Sequence, residues 1–558
     1  MTNKEIASYF SLLAKLSDIH NENSFKSKAY SVAAFQIDKL GFDVENYPKE
    51  KLAAVFGIGD SNAKKIIEIL ETGKLEALDE LLAKTPEGIQ ELMSIKGIGP
   101  KKIATIWHEL GIESPGELLY ACDENRLIAY KGFGEKTQQT IKEALEFYLS
   151  NQQRYLYASI EPIALALEKK LQQLFSHCEV KITGAFVRQC EIIDELAYVI
   201  ACSEEEIIET ISSQNGFVFQ ENDNGILKFM LNESIHIEIH ACDENTFVET
   251  LFFTTNSADF NEAFQSHFEE VVFEGNENEE AIFEQAEIEF IEPCLRENEQ
   301  SILLAKENNL PILIQPKDVK GVVHNHSKWS DGKNTIEEMA LACIQKGYEY
   351  LVMSDHSVSS FYANGLSIER IEKQQDEIDS LNKKLAPFKI FKSIECDILN
   401  DGRLDYEEAV LATFDLVICS VHQNLKMTEE KAMQRILTAI ENPYCHILGH
   451  PTGRLLLSRK GYPIDHIKII EACIKNNVVI EINANPRRLD MDWRIIEQAI
   501  EMGAMLSINP DAHSLDGIDD IRFGVFASQK GMLTKQHNLS SLSLPEFEDY
   551  LKKLKLKN

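Results

Sequence analysis

No Cys-x-x-Cys pair occurs in the 558-residue sequence, and its 11 cysteines are scattered along the chain. That excludes a cysteine-based zinc finger and a disulfide framework, and it fits a reducing compartment. No apolar run is long enough to span a bilayer, and the N-terminus lacks a signal-peptide pattern. A cytoplasmic chain without membrane attachment is therefore expected. Basic residues are also scarce, and unevenly so. Lys and Arg number 56 against 90 Asp and Glu, a net charge of −34. Residues 1–150 hold 18 basic and 23 acidic side chains, and residues 311–558 hold 30 and 35. Residues 151–310 hold only 8 against 32. A surface that follows a phosphate backbone needs Lys and Arg, so the middle segment is poorly suited to gripping nucleic acid. Recruiting a protein partner is another use open to it. The length implies roughly three or four domains, and 44% hydrophobic content means that they fold.

What is present is a recurring pattern in the last 240 or so residues. An apolar run ends in a ligand-type residue, and a helical stretch follows. Val-Val-His324-Asn-His326 comes first, with Asp331 in the next turn. Side chains alternate faces along a strand, so His324 and His326 are expected on one face. Further runs end at Asp355-His356, at Glu395-Cys-Asp397, at His422 and at Asp511-Ala-His513, with Gly-His450-Pro between the last two. Helical patterns cover 335–347, 368–384, 428–441 and 465–476. Strand, ligand and helix in repetition predict a parallel barrel with its site at the carboxyl ends of the strands.

His-x-His, Ser-Asp-Gly, Ser-Asp-His, Gly-His-Pro and Asp-Ala-His in this order resemble a PHP domain, of the polymerase-and-histidinol-phosphatase superfamily. The runs Gly-His-Pro-Thr-Gly-Arg-Leu-Leu-Leu (449–457) and Glu-Ile-Asn-Ala-Asn-Pro-Arg-Arg-Leu-Asp (481–490) are similar to the PHP domain fused to bacterial family X DNA polymerases. The resemblance implies a distorted TIM-like (β/α)7 barrel. It also implies a three-metal site held by His324, His326, Asp331, His356, Glu395, His422, His450, Asp511 and His513, with Glu395 as the bridging ligand. Val322 departs from the family, which usually has an acid before the first His. Mixed His and carboxylate ligands suit Mn, Zn or Fe. Arg454 and Arg488 are candidates for holding a substrate phosphate, since a guanidinium matches it bidentately. Either could equally be a structural ion pair.

Residues 1–150 are helical by pattern and repeat one signature three times. Gly57-Ile-Gly59 precedes Lys64 and Lys65, Gly97-Ile-Gly99 precedes Lys101 and Lys102, and Gly132-Phe-Gly134 precedes Lys136. A tight glycine turn before a helix start presents backbone amides that can bind a phosphate oxygen. These repeats resemble helix-hairpin-helix DNA-binding motifs. Lys65 falls where the small lyase domain of family X polymerases, when active, carries its Schiff-base lysine. The plain reading of Lys65 is an exposed helix lysine.

Residues 151–300 resemble a nucleotidyltransferase palm with altered motifs. Gly184-Ala-Phe-Val-Arg188 stands where the family has Gly-Ser-Phe-Arg-Arg. The family's Gly-Asp-x-Asp maps onto Asp194-Glu195-Leu196-Ala197, and its third carboxylate onto Glu238. A two-metal site needs bridging carboxylates. Ala197 offers no oxygen, and Glu is longer than Asp. On a strand, Asp194 would face away from Glu195; with the alignment shifted by one, it could stand in for the missing carboxylate. Templated synthesis is therefore expected to be lost or weak, with Mg needed only if this site works.

The expected organisation is multidomain, α+β and α/β. A lyase-like helical domain spans 1–80, a second helix-hairpin-helix region 81–152, a degenerate palm and thumb 153–300, a linker 301–320, and the PHP metallo-phosphoesterase 321–558. The leading functional expectation is a DNA-repair enzyme whose barrel hydrolyses phosphodiesters, as a 3′-5′ exonuclease, an abasic-site endonuclease or a 3′-end processor. The expected partner is DNA with gapped, primer-template or damaged ends, and the expected state is a monomer. The alternatives are a working family X polymerase proofread by the barrel, a phosphatase of the histidinol-phosphate type, and a DNA-binding scaffold with inert domains.

Overall fold

The structure is a computed structural model, and it describes every residue except 41, 56, 96, 151–153 and 556–558. Phe56 and Lys96, each directly before one of the first two glycine turns, lie outside the described residues. The chain divides into two compact units. One is Met1–Asp123 with Tyr130–Leu149, and the other is Glu124–Ala129 with Ser150–Asn558.

The first unit is helical. Thr2 caps the opening helix Asn3–Ile19, and Glu5 returns the hydrogen bond to the cap's own amide. This reciprocal pair satisfies two amides that no helical carbonyl could reach. Ile6, Phe10, Leu13 and Leu16 recur at helical spacing and are fully or almost fully buried against Ile66 and Ile69 of the helix Gly59–Thr72. The second and third glycine repeats open the helices Pro100–His108 and Glu135–Ser150.

The second unit starts with a five-stranded sheet. Its order is Val180–Thr183, Glu195–Ile200, Ile235–Ala241, Ile226–Leu231 and Phe217–Asp223. Only the second and third strands run parallel; their neighbours are antiparallel. Helix Tyr157–Leu174 covers one face through Ile160, Ala164, Leu167 and Leu171. A phenylalanine-rich helical cluster follows. There the buried Arg296 lies over the rings of Phe283 and Phe290 and pairs with Glu279 at 2.5 Å.

Seven parallel strands then form a nearly closed barrel. They are Gly321–Asn325, Tyr350–Met353, Lys389–Asp397, Leu416–Ser420, Ile447–Leu448, Val479–Asn483 and Leu506–Asn509, paired in chain order. A bridge between Asn325 and Ala512 brings the last strand back to the first. The strands read as unbroken apolar runs because helices cover their outer faces and side chains fill the inside. The interior is packed by Val323, Tyr350, Phe391 and Ile418, and Phe547 of the last helix stacks on Tyr350 at 4.5 Å between centroids. The helices Ile336–Gln345, Ile368–Leu385, Glu429–Ile440 and His466–Asn476 stand where the sequence pattern places them.

Candidate metal centre and nucleic-acid interface

All nine candidate ligands converge at the carboxyl ends of the barrel strands. Glu395, near the end of the third strand, is the hub. Its Oε1 lies 3.0 Å from His422 Nε2, 3.0 Å from His450 Nε2 and 3.3 Å from His324 Nε2. Its Oε2 lies 3.0 Å from His356 Nδ1 and 3.6 Å from His326 Nε2. A carboxylate with imidazoles crowding both oxygens is placed to bridge cations. Three sets of ligand atoms lie within 4.8 Å of one another: His324, His326 and Asp511; His356, Glu395 and His422; and His326, Asp331, His356 and His513.

The two first histidines meet, with ring centroids 5.3 Å apart, by a route that simple alternation does not give. His324 has a left-handed backbone, φ 65°, inside a register shift between Val322 and Asn325, and His326 lies just past the strand. Asp511 is also left-handed, φ 52°. Such conformations are costly for these residue types and persist where the surroundings hold them.

The donor set fits divalent cations. His324 Nε2, Asp331 Oδ2, both ring nitrogens of His356, Glu395 Oε2 and His513 Nε2 are buried without a hydrogen-bond partner. Orphaned polar atoms at this density are costly unless a cation receives them. Without a cation the histidines divide: against burial, neighbouring carboxylates raise His324, His422 and His513, whereas His326 is neutral. Burial, with His513 and His356 nearby, pushes His326 down to about 3. Glu395 and Asp511 stay well below the usual carboxylate range, because adjacent histidines outweigh the burial that opposes ionisation. Neutral imidazole and ionised carboxylate are the forms that ligate.

A supporting layer fixes these side chains. Glu481 Oε2 meets His324 Nδ1 at 2.6 Å and is itself held by Asn509 at 2.9 Å. Asp397 pairs with His422 Nδ1. Asp355 accepts from Ser327 N at 2.7 Å and from Gln374 at 2.6 Å, which steadies the turn after His326. Sequence reasoning assigned none of these three acids a role. The one available signal was their position beside ligands in the strand-end runs.

The two arginines part company. Arg488 is buried, with Nε 3.8 Å from Asp511 Oδ2, so it faces the ligands. Arg454 gives its guanidinium to the Arg488 and Leu489 carbonyls and to Asp492. That engagement ties two loops together.

The palm cleft, of about 540 Å³, gathers Asp194, Glu195, Glu238, Arg154 and Lys228. Ala197 stands opposite Glu238 in the strand register and contributes no oxygen. Asp194 does not face away from Glu195, as strand alternation predicts. It precedes the strand, so alternation does not bind it, and it lines the same cleft with Arg154 at 2.8 Å. Burial raises the Glu195 carboxyl, and Glu238 and Asp194 raise it further. In the altered nucleotide-binding turn, Arg188 is engaged by Glu297 at 3.2 Å and the Thr255 carbonyl at 2.7 Å.

In the helical unit, Gly97 (φ 98°) and Gly132 (φ 95°) occupy left-handed backbone. A Cβ at either would meet nothing within 4 Å, so the glycine serves the turn and an open approach rather than packing. Gly57, Gly59, Gly99 and Gly134 complete the turns, with Lys101 exposed and Lys102 half-buried at the second. Lys65 is half-buried, its Nζ 5.9 Å from the Tyr30 ring centroid.

Comparison with known proteins agrees with this division. A helix-hairpin-helix domain model matches residues 1–75, a SAM-like helix-hairpin-helix tandem matches 89–146, and a PHP domain model matches 323–485. The chain is 33% identical to the DNA polymerase/3′-5′ exonuclease PolX of Bacillus subtilis (strain 168), over 99% of this chain and 100% of that protein. It is 27% identical to a probable phosphatase of Thermoanaerobacter sp. (strain X514), over 40% of this chain and 90% of that protein. A probable phosphatase of Caldanaerobacter subterraneus is 29% identical over 32% of this chain and 70% of its own length.

Proposed function

Because the chain belongs to the PolX family, we propose that its barrel hydrolyses DNA phosphodiesters from a 3′ end, in DNA repair, while its palm contributes little or no synthesis. The observation that carries this reading is Glu395 in contact with five imidazoles at the strand ends. The ligands are His324, His326, Asp331, His356, Glu395, His422, His450, Asp511 and His513, for three cations drawn from Mn, Zn and Fe. Divalent cations, when bound, supply Lewis acidity and activate a water for attack on phosphorus. The chain's own residues do the rest. Glu395 and the histidines fix where the phosphate can sit, and Glu481 and Asp397 hold ring orientation. Arg488 is positioned to take a non-bridging phosphate oxygen. The glycine turns, with Lys101 and Lys102, hold the DNA backbone. Abasic-site cleavage and 3′-end cleaning are further uses of the same chemistry.

On this reading the domains keep the expected limits as a proposal, with the barrel from 321, and the enzyme acts as a cytoplasmic monomer. The probable phosphatases match 40% of this chain or less, which keeps a small-molecule phosphatase as the second reading; the helix-hairpin-helix repeats favour DNA. The test is a 5′-labelled primer on a gapped template with Mn²⁺ and all four dNTPs. Wild type and Ala197→Asp are expected to shorten the primer, and His356→Ala to leave it intact. Lengthening by wild type would overturn the palm reading. Turnover of histidinol phosphate without DNA cleavage would overturn the nuclease reading.

A further inference from the structure

Glu124 lies outside the barrel in sequence, yet its side chain sits at the rim of the ligand cluster. The segment Glu124–Ala129 belongs to the same compact unit as the barrel and packs on the turn Phe361–Ala363. Asn125 reaches the Asp331 carbonyl at 3.5 Å. Glu124 is 2% exposed, and its Oε1 has no hydrogen-bond partner. Its Oε1 lies 3.9 Å from His513 Nδ1, and Glu124, Asp511 and His513 each offer a ligand atom within 4.8 Å of the others. His513 Nε2 meanwhile faces Asp331 at 3.5 Å. Arg126 lies against the other Glu124 oxygen as an ion pair.

A buried carboxylate with one unsatisfied oxygen is costly. It is tolerated where cations gather, and this one has Arg126 on one side and the ligand set on the other. A carboxylate and a phosphate diester present the same thing to such a place, a pair of anionic oxygens. We propose that Glu124 is an in-chain stand-in for a DNA phosphate: it completes the coordination on the His513 flank and yields that place to the substrate's phosphate, which Arg126 then pairs with. The inference rests on the metal-site reading above and adds a tenth group to the site, its fourth carboxylate, delivered from the segment between the second and third glycine repeats.

The test uses the full-length, metal-stripped protein and two probes. In a Mn²⁺ titration followed by electron paramagnetic resonance, Glu124→Gln is expected to bind its weakest ion about tenfold more weakly, the lower range for losing a supporting carboxylate. Arg126→Ala, which releases the carboxylate from its partner, should bind Mn²⁺ as tightly as wild type or tighter. At saturating Mn²⁺, inorganic phosphate should bind Glu124→Gln about tenfold more tightly than wild type, because no carboxylate has to leave. Equal Mn²⁺ and phosphate affinities in wild type and Glu124→Gln would overturn the proposal. So would parallel losses in Glu124→Gln and Arg126→Ala, which would mark a plain structural ion pair. Neither readout needs DNA cleavage, so a barrel that fails on DNA but keeps these differences sinks the nuclease reading alone.

Discussion

Two glutamates, Glu395 and Glu195, share a residue type and a compact unit, yet their environments drive them in opposite directions. Burial opposes ionisation of both. Around Glu395 the histidines outweigh burial, and its carboxyl stays well below the ordinary range. Around Glu195 the neighbours are Glu238 and Asp194, and its carboxyl is raised. The barrel therefore presents a charged, oriented acid among imidazoles. The palm presents like charges with Ala197 where a further oxygen is needed. A metal site is made by alternating ligand types held by a supporting layer, not by acidity alone. The most acidic stretch of the chain is the poorer metal site of the two.

The same substitution in both places is the sharpest way to break that contrast. Glu395→Gln is expected to lower Mn²⁺-dependent primer degradation about a thousandfold, in line with roughly 4 kcal/mol for removing one partner from a buried charged network. Glu195→Gln should leave degradation within about twofold of wild type, as it touches none of the barrel ligands. A large effect of Glu195→Gln on primer length, with Glu395→Gln neutral, would reverse the assignment of the two regions.

Much of this contrast was legible in the chain itself. The nine candidate ligands converge from strand-end runs and the turn after the first, and the barrel helices fall within a residue or two of their expected limits. The route to the His324 and His326 cluster was not legible, because a left-handed residue in a register shift replaces plain alternation. The placement of Asp194 failed for a related reason: the strand begins one residue later, at Glu195. Arg454 and Arg488 could not be separated in sequence, since which carbonyls and acids meet a guanidinium is decided by loop packing. Glu124 was silent for the same cause. No local pattern says that a residue in a helical region will meet His513.

A smaller effect concerns pH. In the metal-free barrel, burial works against the His422 imidazolium, but Glu395 and Asp397 prevail and hold it up to about 10. His513 is held up to about 10 by Glu124 and Asp331 against the same opposition. A folded value above the unfolded one, about 6.5, stabilises fully below about pH 6.5, and that contribution is lost as pH rises through about 10. The Tm of chelator-stripped protein is therefore expected to fall between pH 7 and 10. Mn²⁺-loaded protein should show a flatter profile, since its ligating histidines are already neutral. A flat profile in the stripped protein would mean that these pairs are not charged there.

The smallest effect extends the contrast to how DNA is held. The middle segment is too acidic to follow a phosphate backbone, so on the proposed reading the grip falls to the glycine turns of the first unit. Lys101 is exposed at the start of the helix Pro100–His108, beside backbone amides that Gly97 and Gly99 leave open to approach. Its ammonium adds charge where the amides supply direction. Lys101→Ala is expected to weaken binding of a gapped duplex a few-fold, nearly alike for all sequences. It should also reduce the slope of log affinity against log salt by about 1. Fluorescence anisotropy across a salt series measures both quantities. An unchanged slope would remove Lys101 from the DNA path and leave the turn amides as the sole phosphate contacts of that repeat.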